Sequence, residues 1–81
     1  MRIDKYLKVA KVVKRRSIAK ALGDNEKITL NSKISKPSSE VVIGDVIELS
    51  FGEKKLKIKV CNLVNNPKKD EIDTMYEIIE Q

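Results

Sequence analysis

Arg15, Arg16 and Ser17 stand together where one apolar helical pattern breaks off and another begins. A guanidinium is a planar fork that can engage a phosphate through two hydrogen bonds. A serine at a helix start reads as its cap, and the free N–H groups and positive dipole end behind such a cap also suit an anion. Arg2 and Lys5 open the preceding segment, Lys8 follows within a turn, and Lys20 follows Ser17. These residues are equipped to hold a polyanion rather than to turn over a substrate. Residues 1–20 carry eight Lys or Arg against Asp4 alone, a net of +7, within a chain whose total is +5. Residues 70–81 carry Asp70, Glu71, Asp73, Glu77 and Glu80 with no base. Charge so concentrated favours nucleic acid over a merely solvated helix face. A membrane surface fits less well, because the basic first segment has no Trp or Phe to anchor it.

Other chemistries are excluded by composition. With no His and one Cys, the usual zinc sites, imidazole acid–base catalysis and a disulfide scaffold are unavailable. Cys61 lacks a His partner and reads as a passive thiol. There is no Gly-rich phosphate loop and no spaced carboxylate pair, so neither an enzyme nor a cofactor is expected. The longest apolar run is Val41-Val42-Ile43, which predicts no membrane span and no signal peptide. A cytoplasmic, soluble protein is the expectation.

The elements that must position the basic residues follow from periodicity. Eighty-one residues suffice for one domain. Ile3, Tyr6, Leu7, Ala10 and Val13 form one stripe, which predicts a helix over 3–13 with Lys8, Lys11 and Arg15 away from it. Tyr6 shares that stripe and reads as core rather than as a platform for a base. Ser17 is expected to cap a short second helix that buries Ile18, Ala21 and Leu22 and stops at Gly23-Asp24-Asn25. From Ile28 the pattern alternates. Asn31-Ser32 reads as a turn and Ser35–Ser39 as a loop held by Pro37. Val46–Phe51 and Leu56–Val60, joined at Gly52-Glu53, predict a hairpin whose inner face is Ile47, Leu49, Phe51, Leu56, Ile58 and Val60. Lys55, Lys57 and Lys59 then form a wet face whose ordinary role is solubility. Beyond Asn65-Asn66-Pro67, a short helical turn and a strand-like end are expected.

Arg2-Ile3-Asp4-Lys5-Tyr6-Leu7, Arg15-Arg16-Ser17-Ile18-Ala19, Ile28-Thr29-Leu30-Asn31, Lys36 and Gly44-Asp45 occur in an order and spacing that resembles the RNA-binding domain named after small-subunit ribosomal protein S-four. The resemblance covers about residues 1–51. It implies an α+β fold in which two N-terminal helices, the alpha-L motif, pack on a small antiparallel sheet. On this reading residues 1–64 are the RNA-binding domain and 65–81 a short acidic C-terminal extension. Two positions depart from the family: Glu26 and Ser32 stand where Gly is usual, so the two turns are expected to be built differently, with Asn25 and Asn31 adjacent as residues that tolerate left-handed backbone.

The resemblance is to small stand-alone members, the heat-shock ribosome-associated protein and, more closely, those that act in bacterial ribosome-associated quality control. The alternatives are a heat-shock-type recycling factor for large subunits with trapped nascent chains and an RNA-binding adaptor that works with a separate partner protein. The closer resemblance implies a cytoplasmic, ribosome-associated monomer whose partners are the large ribosomal subunit, its rRNA, peptidyl-tRNA and the protein RqcH, with no membrane partner. The RNA-contacting residues it implies are Arg2, Asp4, Lys5, Lys8, Arg15, Arg16, Ser17, Lys20, Lys33 and Lys36. Asp4, the odd acid, would either favour the helix N-terminus or orient a neighbouring Arg. The ordinary alternative for Arg16 is a salt bridge to a surface acid. With few aromatics to stack on bases, recognition should be of phosphate and shape on structured RNA. Neutralisation of about five phosphates predicts a slope of log K against log[salt] of about −4 to −5, checked by titrating RNA binding across ionic strength.

Overall fold

The computed structural model describes residues 1–79; Glu80 of the acidic tail lies outside the described residues. Helix α1 (Ile3–Val9) buries Ile3, Tyr6 and Leu7 completely. It stops short of the expected 3–13 span. Ala10 is its C-cap and Lys11 turns left-handed at φ 60°. The Lys11 N–H donates to the Lys8 carbonyl (3.0 Å) and the Val12 N–H to that of Leu7 (2.9 Å). These are the paired bonds of a Schellman end, whose left-handed position is usually Gly. Val13 still reaches the core, 6% exposed, but from beyond the turn. Its place in the apolar stripe reported burial, not a continuing helix.

Helix α2 (Arg16–Asp24) also corrects the reading of the sequence. Its N-cap is Arg15 in extended conformation, and no side chain among the described residues caps it. Ser17 lies inside the first turn and is exposed. The buried face is Ala19 and Gly23 with Leu22 half-buried, whereas Ile18 and Ala21 are exposed. Small residues win because α2 lies close against the Ser35–Ser39 loop. A Cβ on Gly23 would stand 2.6 Å from Pro37 Cγ. The helix ends like the first, with Glu26 left-handed at φ 60°, its N–H on Gly23 O (3.1 Å) and the Lys27 N–H on Leu22 O (2.8 Å).

The sheet is antiparallel throughout: β1 (Ile28–Leu30), β2 (Lys33–Ile34), β3 (Val46–Phe51), β4 (Lys54–Val60) and β5 (Tyr76–Ile78), in the order β2-β1-β3-β4-β5. Strand β2, two exposed residues long, gave no alternating signal. Leu30 pairs with Lys33 across Asn31 (φ 52°) and Ser32 (φ 72°), a two-residue turn of the doubly left-handed type suited to hairpins. Glu26 and Ser32 therefore adopt the left-handed backbone themselves, where a different construction was expected. Asn31 joins them, but Asn25 (φ −97°) does not. Asn31 also fastens the turn, since its Oδ1 accepts the Val46 N–H (2.9 Å) and its Nδ2 donates to Asp45 Oδ1 (3.1 Å).

Ile28, Ile47, Leu49, Ile58 and Val60 form the inner face, fully buried under the helices. Phe51, expected among them, is at the rim and 38% exposed. On the outer face Lys57 stands opposite Glu48 and Lys59 opposite Glu77, as a solubilising surface would. After the short helix α3 (Lys69–Ile72), Met75 enters the core and β5 pairs with β4. The Met75 carbonyl accepts from the Tyr6 hydroxyl (2.8 Å) and from the N–H groups of Cys61 (2.9 Å) and Asn62 (3.2 Å). Burial, followed by the neighbouring Cys61 and Tyr76, pushes the Tyr6 phenol far above its ordinary pKa, so it stays a donor.

A side chain in the left-handed region costs about 1–2 kcal/mol that Gly avoids, partly offset by the greater freedom of Gly in the unfolded chain. The double variant Glu26→Gly/Ser32→Gly should therefore gain about 1 kcal/mol. For a domain of this size that raises Tm by roughly 4–8 °C, measured by thermal denaturation.

Candidate nucleic-acid interface

Asp4 is the second residue of α1 and only 2% exposed. A buried carboxylate is unfavourable unless donors replace its water. Three do. Arg2 Nη2 donates to Oδ2 (3.0 Å), Arg16 Nη2 to Oδ1 (3.2 Å), and the Lys5 N–H to Oδ1 (2.7 Å). One buried acid thus ties the N-terminus to the first residue of α2. The two arginine side chains are 47% and 48% exposed, and each guanidinium has further donors beyond the one given to Asp4. The salt bridge considered as the ordinary fate of Arg16 does form, but to a buried acid. It aims the guanidinium without consuming it.

The two readings of Asp4 are both met. Of the first-turn N–H groups of α1, Ile3 donates to Ser39 O (2.7 Å) and Asp4 to Pro37 O (3.2 Å) in the loop, while that of Lys5 donates to Asp4 Oδ1 (2.7 Å). The carboxylate thus serves the helix start through Lys5 and also holds the two arginines. At α2 no side chain caps the start, and the Ile18 N–H is taken by the Arg15 carbonyl (3.1 Å), so the N–H groups of Arg16 and Ser17 are the ones that helix start offers.

Arg2, Asp4, Arg16, Ser17 and Lys20 line one shallow depression of about 350 Å3. Arg2 and Lys20 also line a neighbouring one of about 520 Å3, where Lys36 joins them with Asp24 and Glu26 on the margin. Lys36 is set by its loop, its N–H donating to Ser39 Oγ (3.2 Å) and its carbonyl accepting the Ser39 N–H (3.0 Å). The remaining candidates are placed apart. Arg15 is exposed at the N-cap of α2, and Lys33 is exposed on β2. Lys5 is half-buried, its Nζ donating to Asn65 Oδ1 (3.1 Å). Lys8 lines a different cleft with Lys11 and Lys14. Sequence reasoning did not place Lys11 and Lys14 in a site. Their regular spacing after Lys8 was the available signal, but Lys11 was read with Lys8 and Arg15 as a face away from the apolar stripe, and Lys14 as part of the run that ends the apolar pattern.

Among the described residues no helix is long and apolar enough to cross a membrane, and no group of three His, Cys, Asp or Glu is placed to hold a metal ion. Residues 1–47 match the S4 domain family. The chain belongs to that family. The match spans α1, α2 and the first strands and stops inside β3. Similarity to known proteins reaches further. The chain is 41% identical to the RQC P-site tRNA stabilizing factor of Streptococcus pneumoniae, over all of this chain and 92% of that one. It is 40% identical to the factor of the same name from Bacillus subtilis, over all of this chain and 94% of that one. Among solved structures, trimeric heat shock protein 15 of Vibrio cholerae superposes with a TM-score of 0.86 at 29% identity, covering 98% of this chain and 81% of that one.

If orientation by Asp4 matters, Arg16→Ala should weaken binding to a structured RNA about tenfold and flatten the salt slope by about one, while Lys57→Ala changes affinity less than twofold. Asp4→Asn removes a negative charge yet should also weaken binding, because the two guanidiniums lose their common anchor. Fluorescence anisotropy checks all three. Equal losses for Arg16→Ala and Lys57→Ala would mean that diffuse charge supplies the affinity.

Proposed function

We propose that the chain is a non-enzymatic RNA-binding factor of ribosome-associated quality control that acts at obstructed large ribosomal subunits in the cytoplasm. Full-length similarity to RQC P-site tRNA stabilizing factors is the observation that carries this reading. The Arg2–Asp4–Arg16 cluster supplies a physical means. Arg2 and Arg16, with Lys20 and Lys36 beside them, hold phosphates of structured RNA. Ser17 lines the same depression, and Lys5, Lys8, Arg15 and Lys33 add RNA contacts from positions apart from it. The partners are large-subunit rRNA and peptidyl-tRNA. By holding both, the factor keeps peptidyl-tRNA in place while RqcH delivers alanyl-tRNA and the ribosome adds alanine to the stalled chain. Its contribution is positional, so it acts by binding energy alone, as a monomer.

A second reading is favoured by the superposition on heat shock protein 15: a recycling factor for large subunits that carry trapped nascent chains. The two differ in their product. Deleting the gene should abolish alanine-tailed peptides on the first reading and leave them unchanged on the second.

In sucrose gradients the tagged protein should comigrate with free large subunits that carry peptidyl-tRNA, and Arg16→Ala should shift it toward the top. A wild-type peak found only at the top would remove the ribosome from the proposal.

A further inference from the structure

The Arg2–Arg16 surface leaves a second basic feature unused. A cleft of about 680 Å3 opens between the end of α1 and the segment before α3. Lys8, Lys11 and Lys14 line it from the α1 side, and Asn65 and Asn66 line it from the segment before α3. No acid among the described residues lines it, whereas the groove beside Arg2 includes Asp24 and Glu26. By lining, this cleft is the more purely cationic of the two.

Two further observations bear on its purpose. Lys11 occupies the left-handed position of the Schellman end, where Gly would be easier by about 1 kcal/mol or more. Its side chain is exposed, so no packing offsets that strain. Strained backbone retained at a lining residue is a common mark of a binding surface. Asn65 is held in place by Lys5, whose Nζ occupies its Oδ1 and leaves its amide NH2 as a donor.

We propose that this cleft holds a stretch of RNA backbone separate from the one taken by the Arg2–Arg16 surface. The lysines act as point charges for successive phosphates. The Asn65 and Asn66 amides hydrogen-bond ribose 2′-hydroxyls, which DNA lacks. Pro67 and Ile72 supply apolar surface for the sugar. An acidic protein segment would also be drawn to three lysines, but it has no sugar hydroxyl for the paired amides. The inference rests on the RNA-binding reading above and gives the segment before α3 a direct part in it.

The test uses the full chain and a fluorescein-labelled stem-loop RNA. Lys8→Gln/Lys14→Gln should weaken binding roughly tenfold and flatten the salt slope by about two at unchanged Tm, and this loss should multiply with that of Arg16→Ala. Lys11→Gly should weaken binding while raising Tm, which separates lost contact from lost fold. Asn65→Ala/Asn66→Ala should narrow the preference for the RNA over DNA of the same sequence. An unchanged salt slope in the Lys8→Gln/Lys14→Gln variant would overturn the proposal. So would loss of poly-glutamate binding in that variant at intact RNA affinity, which would assign the cleft to a protein. If Arg16→Ala leaves RNA affinity intact while the cleft variants reduce it, the cleft stands and the Arg2–Arg16 reading falls.

Discussion

The Asp4 carboxylate is the constraint on which the proposed RNA-binding end of this molecule depends. It is buried, it is charged, and its nearest donors come from three places in the chain: Arg2, the backbone of Lys5, and Arg16. Solvation of the acid therefore requires the N-terminal residues and the start of α2 to meet. The same bonds bring two cations together, which repulsion would otherwise keep apart. Because both arginines are half-exposed, the pairs add at most about 1 kcal/mol each to stability. Their larger effect is on direction. A guanidinium already held in place loses less rotamer freedom when a phosphate arrives.

A second economy runs through the turns. Both helices end in Schellman geometry with a charged residue, Lys11 or Glu26, in the left-handed place, and the first hairpin turns on Asn31-Ser32 without Gly. The fold thus retains turn geometry that Gly would serve better, with its side chains exposed at the rims of the basic depressions: Glu26 lines the Arg2 groove and Lys11 the α1 cleft. Strain here is tolerated because the surrounding bonds over-determine the path, as the paired N–H donors at each helix end illustrate.

These same positions explain what was legible in the sequence. Burial was legible where spacing reports it: Ile3, Tyr6, Leu7, Ala10 and Val13 are all core, as are Ile47, Leu49, Ile58 and Val60. The backbone path was less so. Gly is the usual sign of a left-handed turn, and at Lys11 the sign is missing, so the helix was read four residues too long. Ser17 looked like a cap because its type suits one, yet a residue earlier the chain was already helical. The buried face of α2 was misread because close approach to Pro37 selects Ala19 and Gly23, which carry little hydrophobic signal, over Ile18. At the interface, charge density pointed to Arg2, Arg16 and Lys20, which do converge. It carried no information about which lysines face which cleft, since that depends on residues sixty positions away.

That long-range dependence gives the C-terminal residues their importance. Residues 1–47 match the S4 domain, but they leave β4 and β5 unaccounted for. Strand β5 covers the outer edge of β4, Met75 fills the core, and its carbonyl receives the Tyr6 hydroxyl from α1. Lys5, one residue before Tyr6, reaches Asn65 in the same direction. Helix α1 is therefore gripped on two sides: its first turn by the Ser35–Ser39 loop and Asp4 cluster, its middle by the C-terminal segment. Arg2 at its N-cap and Lys8 within it are thereby kept on separate depressions, the arrangement that the proposal of two RNA segments held in fixed relation requires.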